Sequence, residues 1–218
     1  MNKGKVNYSL YLVTDRKLSQ GRSIIEIVKS AVSGGVTIVQ LREKSASTLD
    51  FYREARLIKS FLSKKCIPLI INDRIDIALA IDADGVHLGQ HDMPLTVARK
   101  ILGKDKIIGI SVNNPNEAKR AEQDSADYLG LSPIFLTSTK TDTAKPIGLN
   151  AIPAIRNAVS IPLVGIGGLN IHNVDKVIKA GCDGIAVVSA IVSADKPNIA
   201  SKKLLNVILS AKNESSIY

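Results

Sequence analysis

Gly34-Gly35-Val36-Thr37-Ile38-Val39-Gln40-Leu41-Arg42-Glu43-Lys44 joins two kinds of behaviour in one short stretch. Its first half is a β-branched apolar run opened by glycines, which reads as a buried parallel strand. Its second half presents Gln40, Arg42 and Lys44 at a single point. A strand that closes on an amide and two positive charges does not end by covering a core. It ends on a rim, and such a rim suits an anion, phosphate or diphosphate above all.

The way this strand opens is echoed at Asp84-Gly85-Val86, Ala126-Asp127-Tyr128 and Asp183-Gly184-Ile185. Aligned on Val36, Val86, Tyr128 and Ile185, the steps are 50, 42 and 57 residues. Each step holds two strand-plus-helix units of about 25 residues. Strands are predicted over 9–14, 36–41, 67–71, 85–88, 107–111, 128–132, 163–166 and 185–189. Helices are predicted over 23–33, 49–64, 74–81, 95–102, 116–123, 149–159, 171–180 and 198–211. This alternation fills the 218 residues and predicts an α/β fold, a single-domain (β/α)8 TIM barrel over 1–218. An open doubly wound sheet is the alternative, and it needs fewer strands or a change of strand order. The connection 133–148 is long for a compact domain and is expected to be functional, such as a lid. The tail 213–218 is expected to fray.

Apolar residues make up 45% of the chain, charged residues 22% and aromatics only 4%, with no Trp. The core is therefore expected to be aliphatic, which argues against aromatic stacking on single-stranded nucleic acid. The net charge of +9 is spread along the chain. Solvated helix faces and one anionic substrate account for it, with no nucleic acid as partner. Cys66 and Cys182 lack CxxC spacing and are expected to be buried free thiols. The apolar run near the start breaks at Asp15-Arg16-Lys17, too soon for a signal peptide, and no run spans a membrane. A cytoplasmic protein is expected, and no oligomeric state is assigned.

A barrel carries its active site at the C-terminal strand ends. Polar and glycine residues collect there: Gln40, Arg42 and Lys44; Asn72 and Asp73; Gly89-Gln90-His91-Asp92; Ser111; Ser132; Gly167-Gly168; Val188 and Ser189. Asp73 and Asp92 follow consecutive strands. Two hard oxygen donors without a His or Cys cluster suit Mg²⁺, which fills its shell with water and substrate phosphate. Helix capping by Asn72, Asp73 or Asp92 is the alternative. Gly165-Ile166-Gly167-Gly168, with Val188 and Ser189 ahead of a short extra helix, fits a phosphate site or a tight turn. Thr137-Ser138-Thr139-Lys140 fits an anion clamp or an ordinary polar loop. His87 reads as a packed barrel residue and His172 as an exposed helix-start residue. The residues alone describe a Mg²⁺-dependent enzyme with a diphosphate site and a monophosphate site, and so with two phosphorylated small-molecule substrates.

The motifs VQLREK (39–44), IINDR (70–74), GVHLGQHD (85–92), GIS (109–111), GLSPIFLTSTK (130–140), IGGL (166–169) and GIAVVSAI (184–191) resemble those of the thiamine phosphate synthase family. The resemblance covers roughly residues 8–205. It implies that a hydroxymethylpyrimidine diphosphate and a thiazole phosphate are joined to thiamine phosphate with release of diphosphate. By position, it implies that Gln40, Leu41, Arg42, Glu43, Lys44, Asn72, Ser111 and Lys140 bind the pyrimidine diphosphate. Thr137, Ser138, Thr139, Gly168, Val188 and Ser189 would hold the thiazole phosphate, and Asp73 and Asp92 would hold Mg²⁺. Arg42, Lys44, Lys140 and Ser111 would carry the chemistry. The related thiazole tautomerases share the fold but place a His after the fifth strand, where this chain has Asn113. A non-catalytic phospho-ligand sensor would not need both carboxylates and Lys140.

Overall fold

The computed structural model describes residues 6–137 and 145–215. Its eight strands are β1 (Leu10–Val13), β2 (Ile38–Leu41), β3 (Leu69–Asn72), β4 (Gly85–Leu88), β5 (Ile107–Val112), β6 (Tyr128–Leu131), β7 (Leu163–Ile166) and β8 (Gly184–Val187). All pair in parallel with their sequence neighbours, and β8 pairs back with β1 to close the barrel. Outside them lie α1 (Ile24–Ser33), α2 (Thr48–Ser63), α3 (Ile75–Ala80), α4 (Leu95–Leu102), α5 (Pro115–Gln123), α6 (Ala151–Arg156), α7 (Val174–Lys179), the short α8 (Ser189–Val192) and α9 (Pro197–Ser215). The closed barrel rules out the open sheet.

The four repeated strand openings do a common job at the barrel's N-terminal end. Thr37 Oγ1 accepts the N–H of Leu10 at 3.1 Å. Asp84 Oδ2 accepts that of Leu69, Asp127 Oδ2 that of Ile108 and Asp183 Oδ2 that of Leu163, each at 2.8 Å. In each case the residue before an even-numbered strand secures the start of the odd-numbered strand before it. Each aspartate also pairs with a base on a helix: Lys59 on α2, Arg99 on α4 and Arg156 on α6. The equivalent positions are therefore Thr37, Asp84, Asp127 and Asp183, a frame the alignment on Val36 missed by one to three residues.

Side chains alternate between two apolar layers. Outward-facing residues such as Leu12, Val39, Leu41, Ile71 and Leu129 pack against the helices. The inward layer holds Tyr8, Tyr11, Val13, Ile38, Ile70, Ile107, Tyr128, Val164 and Ala186. Three of the five tyrosines thus lie inside the barrel, where an aliphatic filling was expected. Gly109 makes this possible. A Cβ there would lie 2.1 Å from Tyr128 Cζ, so the ring occupies the space a side chain would need.

Several boundaries differ from the sequence pattern. β2 starts at Ile38 because the Val36 N–H turns back to Ala31 O at the end of α1. β8 stops at Val187 because Val188, at φ −110° and ψ −84°, leaves extended conformation to begin α8. The pattern over 171–180 shortens to α7 because Asn170 and Asn173 form a side-chain-bonded turn ahead of it. Residues 213–215, expected to fray, complete α9. Cys66, expected to be buried, is exposed: it sits at φ 54° in the turn after α2. Cys182 is buried, and burial pushes its thiol up to about 12. The described ends of the long connection are anchored rather than loose. Ile134 N–H and Phe135 N–H bond β7 and its turn, at Ile166 O and Gly167 O, and Ile147 N–H closes back on Pro133 O. No described helix is long and apolar enough to cross a membrane.

Asp127→Ala should cost about 1–3 kcal/mol by leaving the Ile108 N–H without its acceptor and taking away the carboxylate partner of Arg99. Asp124→Ala, three residues away with only a 3.8 Å contact to Arg120, should change little. Urea unfolding of the two variants checks this; equal midpoints would contradict the bracket's role.

Candidate active site

Parallel strands of matched register deliver their last inward side chains to one end of the barrel, and these line a cavity. Gln40 and Arg42 come from the end of β2, His87 from β4, Ser111 from β5, and Gly168, Val188 and Ser189 from the ends of β7 and β8. Thr137, on the long connection, reaches the same cavity.

A chain of hydrogen bonds crosses its wall. Gln40 Nε2 donates to Tyr11 Oη at 3.0 Å, and Tyr11 Oη meets Tyr128 Oη at 2.9 Å. Tyr128 Oη meets His87 Nδ1 at 2.9 Å, and His87 Nε2 meets Ser111 Oγ at 2.9 Å. Burial raises both tyrosine hydroxyls well above their ordinary range and keeps them neutral. The chain fixes the side chains of Gln40 and Ser111 before any ligand arrives. Gly130 gives His87 its place, since a Cβ there would lie 3.0 Å from His87 Cε1. Tyr11 and Tyr128 did not register in the sequence as site residues, and His87 registered only as barrel packing. No short-range motif marks a contact between residues 117 positions apart.

Arg42 is the cavity's main positive group. Its backbone N–H bonds Thr14 Oγ1 at 3.0 Å and its Nη1 donates to Asp15 Oδ2 at 2.7 Å. Its Nε is buried with no hydrogen-bond partner among the described residues. A buried guanidinium N–H is costly to leave unpaired, so this nitrogen is poised for an acceptor that no described residue provides. Asp15, another residue the sequence reading missed, aims the guanidinium.

Two residues of the 40–44 segment face elsewhere. Leu41 is 1% exposed and packs in the helix-facing layer, as strand alternation requires. Glu43 is buried against Arg16 and accepts the N–H groups of Ser45 and Ala46. Its burial favours the acid form, but those two donors and the guanidinium outweigh it and hold the carboxyl below its usual range. Both side chains therefore support the loop, and a ligand-binding part for either is limited to its backbone.

Asp73 and Asp92 are brought together as expected. Asp92 lies within hydrogen-bonding reach of Asp73, and Lys44 Nζ donates to Asp73 Oδ2 at 2.5 Å. Neither aspartate caps a helix. The N-caps of α3 and α4 are Arg74 and Pro94, without side-chain cap bonds. Asp92 Oδ2 instead accepts the Gly89 N–H at 2.7 Å. Asp73 stands at φ 60°, so its backbone turns left-handed directly after β3. Burial raises the Asp73 carboxyl above its ordinary range. The Lys44 hydrogen bond opposes this, and the proximity of Asp92 adds to it. Asn72 is buried beside them, level with His87 in the β3–β4 ladder. Among the described residues no group of three or more His, Cys, Asp and Glu forms a metal cluster, which leaves this pair as an oxygen-only donor set.

On the β7 side, Gly167 and Gly168 adopt φ 102° and 65°. A Cβ on Gly168 would lie 2.5 Å from Leu136 O, so the long connection docks directly on this turn. The turn and the cavity wall are thus one structure. His172 is exposed, as its position suggested, and precedes α7. Ser138, Thr139 and Lys140 lie outside the described residues.

A family model described as thiamine monophosphate synthase matches residues 10–191. The chain belongs to the thiamine monophosphate synthase family. A thiamine-phosphate synthase of Clostridium novyi is 54% identical over 202 residues, covering 93% of this chain and 99% of the relative. Another, of Syntrophomonas wolfei, is 51% identical and covers 92% and 96%. Among solved structures, a thiamine phosphate pyrophosphorylase of Pyrococcus furiosus superposes with a TM-score of 0.87 at 38% identity, covering 94% of this chain and 98% of that one. In this family member the Tyr11 and Tyr128 rings fill the barrel interior, and the Asp73–Lys44 pair lies past the C-terminal ends of β3 and β2.

Gly109→Ala should drive a methyl group into the Tyr128 ring. Overpacking of this kind costs on the order of 1–3 kcal/mol. Thermal unfolding should show the loss, and tyrosine ultraviolet absorption should report a displaced Tyr128. An unchanged melting temperature would contradict the packing described.

Proposed function

We propose that this protein condenses 4-amino-2-methyl-5-hydroxymethylpyrimidine diphosphate with 4-methyl-5-(2-phosphoethyl)thiazole to give thiamine phosphate and diphosphate. The observation that carries this reading is Arg42 Nε, buried with no partner among the described residues in a cavity that also reaches Gly168 and Ser189; the adjoining Asp73 and Asp92 follow the neighbouring strands β3 and β4. A diphosphate ester fits the first group and a second phosphate the other end. Family membership supplies the two substrates.

Asp73 and Asp92 suit a divalent cation. They are hard oxygen donors within hydrogen-bonding reach of each other, which is the ligand type this ion takes. Mg²⁺ held there would supply charge neutralisation on the diphosphate. Arg42 binds a diphosphate oxygen through Nε, and Lys44 supplies a second positive charge. Both stabilise the negative charge that develops as the carbon–oxygen bond to the diphosphate breaks. The bonding pair leaves with the diphosphate. The thiazole nitrogen then donates its lone pair to the pyrimidine methylene carbon, forming the carbon–nitrogen bond without any proton transfer. Gln40, fixed by Tyr11, orients the pyrimidine, and Gly168, Val188, Ser189 and Thr137 hold the thiazole phosphate, so that proximity completes the rate. The Ser138, Thr139 and Lys140 side chains are proposed to close on the same two anions. Both substrates are charged and water-soluble, and the reaction is assigned to the cytoplasm within one barrel domain.

An isomerase reading gains nothing from the end of β5. Asn113 there carries a neutral side-chain amide, with its backbone N–H donating to Glu117 Oε2, and so offers no acid–base group at that position.

Asp73→Asn and Arg42→Met should fold normally and slow turnover by roughly two to three orders of magnitude, the scale of losing one electrostatic stabiliser. Steady-state rates with both substrates check this; near-full rates in both variants would overturn the site assignment. Inorganic diphosphate should inhibit with Mg²⁺ and fail to inhibit after chelation, whereas equal inhibition in both conditions would remove the metal from the account.

A further inference from the structure

Outside the cavity, Lys196, Lys203 and Ile199 line a groove between α8 and α9, and Met93 just ahead of α4 is exposed together with Val97 and Ile101 on it. Nothing in the structure shows what covers either. The contact that leads further lies within the site: the Lys44 ammonium on Asp73. The geometry points to Lys44 as an internal placeholder cation that occupies the Asp73–Asp92 pair in the ligand-free protein and gives it up only when a diphosphate arrives, so that the divalent cation enters together with the diphosphate rather than ahead of it.

This inference rests on the proposed function. Lys44 Nζ takes Asp73 Oδ2 at 2.5 Å. One oxygen of Asp92 is already committed to the Gly89 N–H. A divalent ion seeking both carboxylates therefore meets a positive charge already bonded to one of them, and like charges a few ångströms apart repel strongly in a partly dehydrated site. Asp73 cannot easily swing aside. Its N–H is tied to His87 O at 2.9 Å, and its backbone is held at φ 60°. Lys44 can. Its side chain is 56% exposed, against 20% for Asp73, and it sits on a flexible stem. A diphosphate bound at Arg42 offers the ammonium a better acceptor nearby. When Lys44 crosses to it, an Asp73 oxygen becomes available and the diphosphate brings oxygens of its own.

The consequence is a coupling that must be reciprocal: diphosphate tightens the metal and the metal tightens diphosphate by the same factor. In this arrangement Lys44 contributes twice, once as a ligand to the anion and once as the group that keeps the cation out beforehand. A lysine that merely bound diphosphate would weaken diphosphate on removal and leave the affinity for metal alone untouched.

The test is a titration of the full-length protein with Mn²⁺ as a paramagnetic probe, with and without inorganic diphosphate, followed by electron paramagnetic resonance. Lys44→Met should bind Mn²⁺ alone roughly tenfold or more tightly than the unaltered protein, and should lose most of the tightening caused by diphosphate. Lys44→Arg, which keeps the charge, should bind Mn²⁺ alone no better than the unaltered protein. Unchanged or weaker binding of Mn²⁺ alone to Lys44→Met overturns the placeholder role. Asp73→Asn separates that failure from a failure of the metal site itself. If Asp73→Asn abolishes Mn²⁺ binding while Lys44→Met leaves it unchanged, the site stands and the placeholder falls. If Asp73→Asn leaves Mn²⁺ binding unaltered, both fall.

Discussion

Four side chains at the N-terminal end of the barrel set the frame for everything at the other end. Thr37, Asp84, Asp127 and Asp183 each catch a backbone N–H at the start of the strand before their own. Each bond pins an odd-numbered strand to the even-numbered strand that follows it. Because side chains alternate with a period of two, a slip of one residue would turn every inward group outward. The pinned register is what sends Gln40, Asn72, His87 and Ser111 into the barrel, while Leu41, Ile71, Leu88 and Ile110 join the helix layer. The three aspartates gain a second partner from a neighbouring helix, so the same carboxylates tie both layers together.

Inside the barrel, polar groups are tolerated because they satisfy one another. Five side chains from five strands bond in series, and their hydroxyls stay neutral because burial penalises the phenolate. The barrel thus presents a hydrogen-bonded floor with neutral tyrosines beneath a charged rim. That division suits a reaction in which no proton moves and the main demand is to stabilise a departing anion. Two described cations at this end are held by carboxylates that aim them: Arg42 by Asp15, and Lys44 by Asp73.

The barrel was legible because its apolar runs are short, evenly repeated and separated by amphipathic stretches. The rim was legible where a strand ended in Gln40, Arg42 and Lys44, since that chemistry has no use in a core. Asp73 and Asp92 were ambiguous in the sequence, as metal ligands and helix caps use the same residues at the same places. The structure, with N-caps at Arg74 and Pro94, removes the capping reading and leaves metal binding as the proposal above. Other features could not be read at all. The Tyr11–Tyr128 bond joins residues 117 positions apart, and Asp15 reaches Arg42 across 27 positions. Glu43 looked like a rim residue by position, yet it turns aside because Ser45, Ala46 and Arg16 satisfy it there. Cys66 looked buried from its apolar neighbours, but a left-handed turn after α2 carries it to the surface.

The central claim is that one cavity binds both phosphorylated substrates and releases diphosphate as they join. Diphosphate release, measured with each substrate alone and with the two together, with and without Mg²⁺, tests it most directly. The account predicts release only when both substrates and the metal are present, matched one for one by thiamine phosphate. A folded protein that binds the thiazole phosphate but releases no diphosphate under those conditions would contradict it.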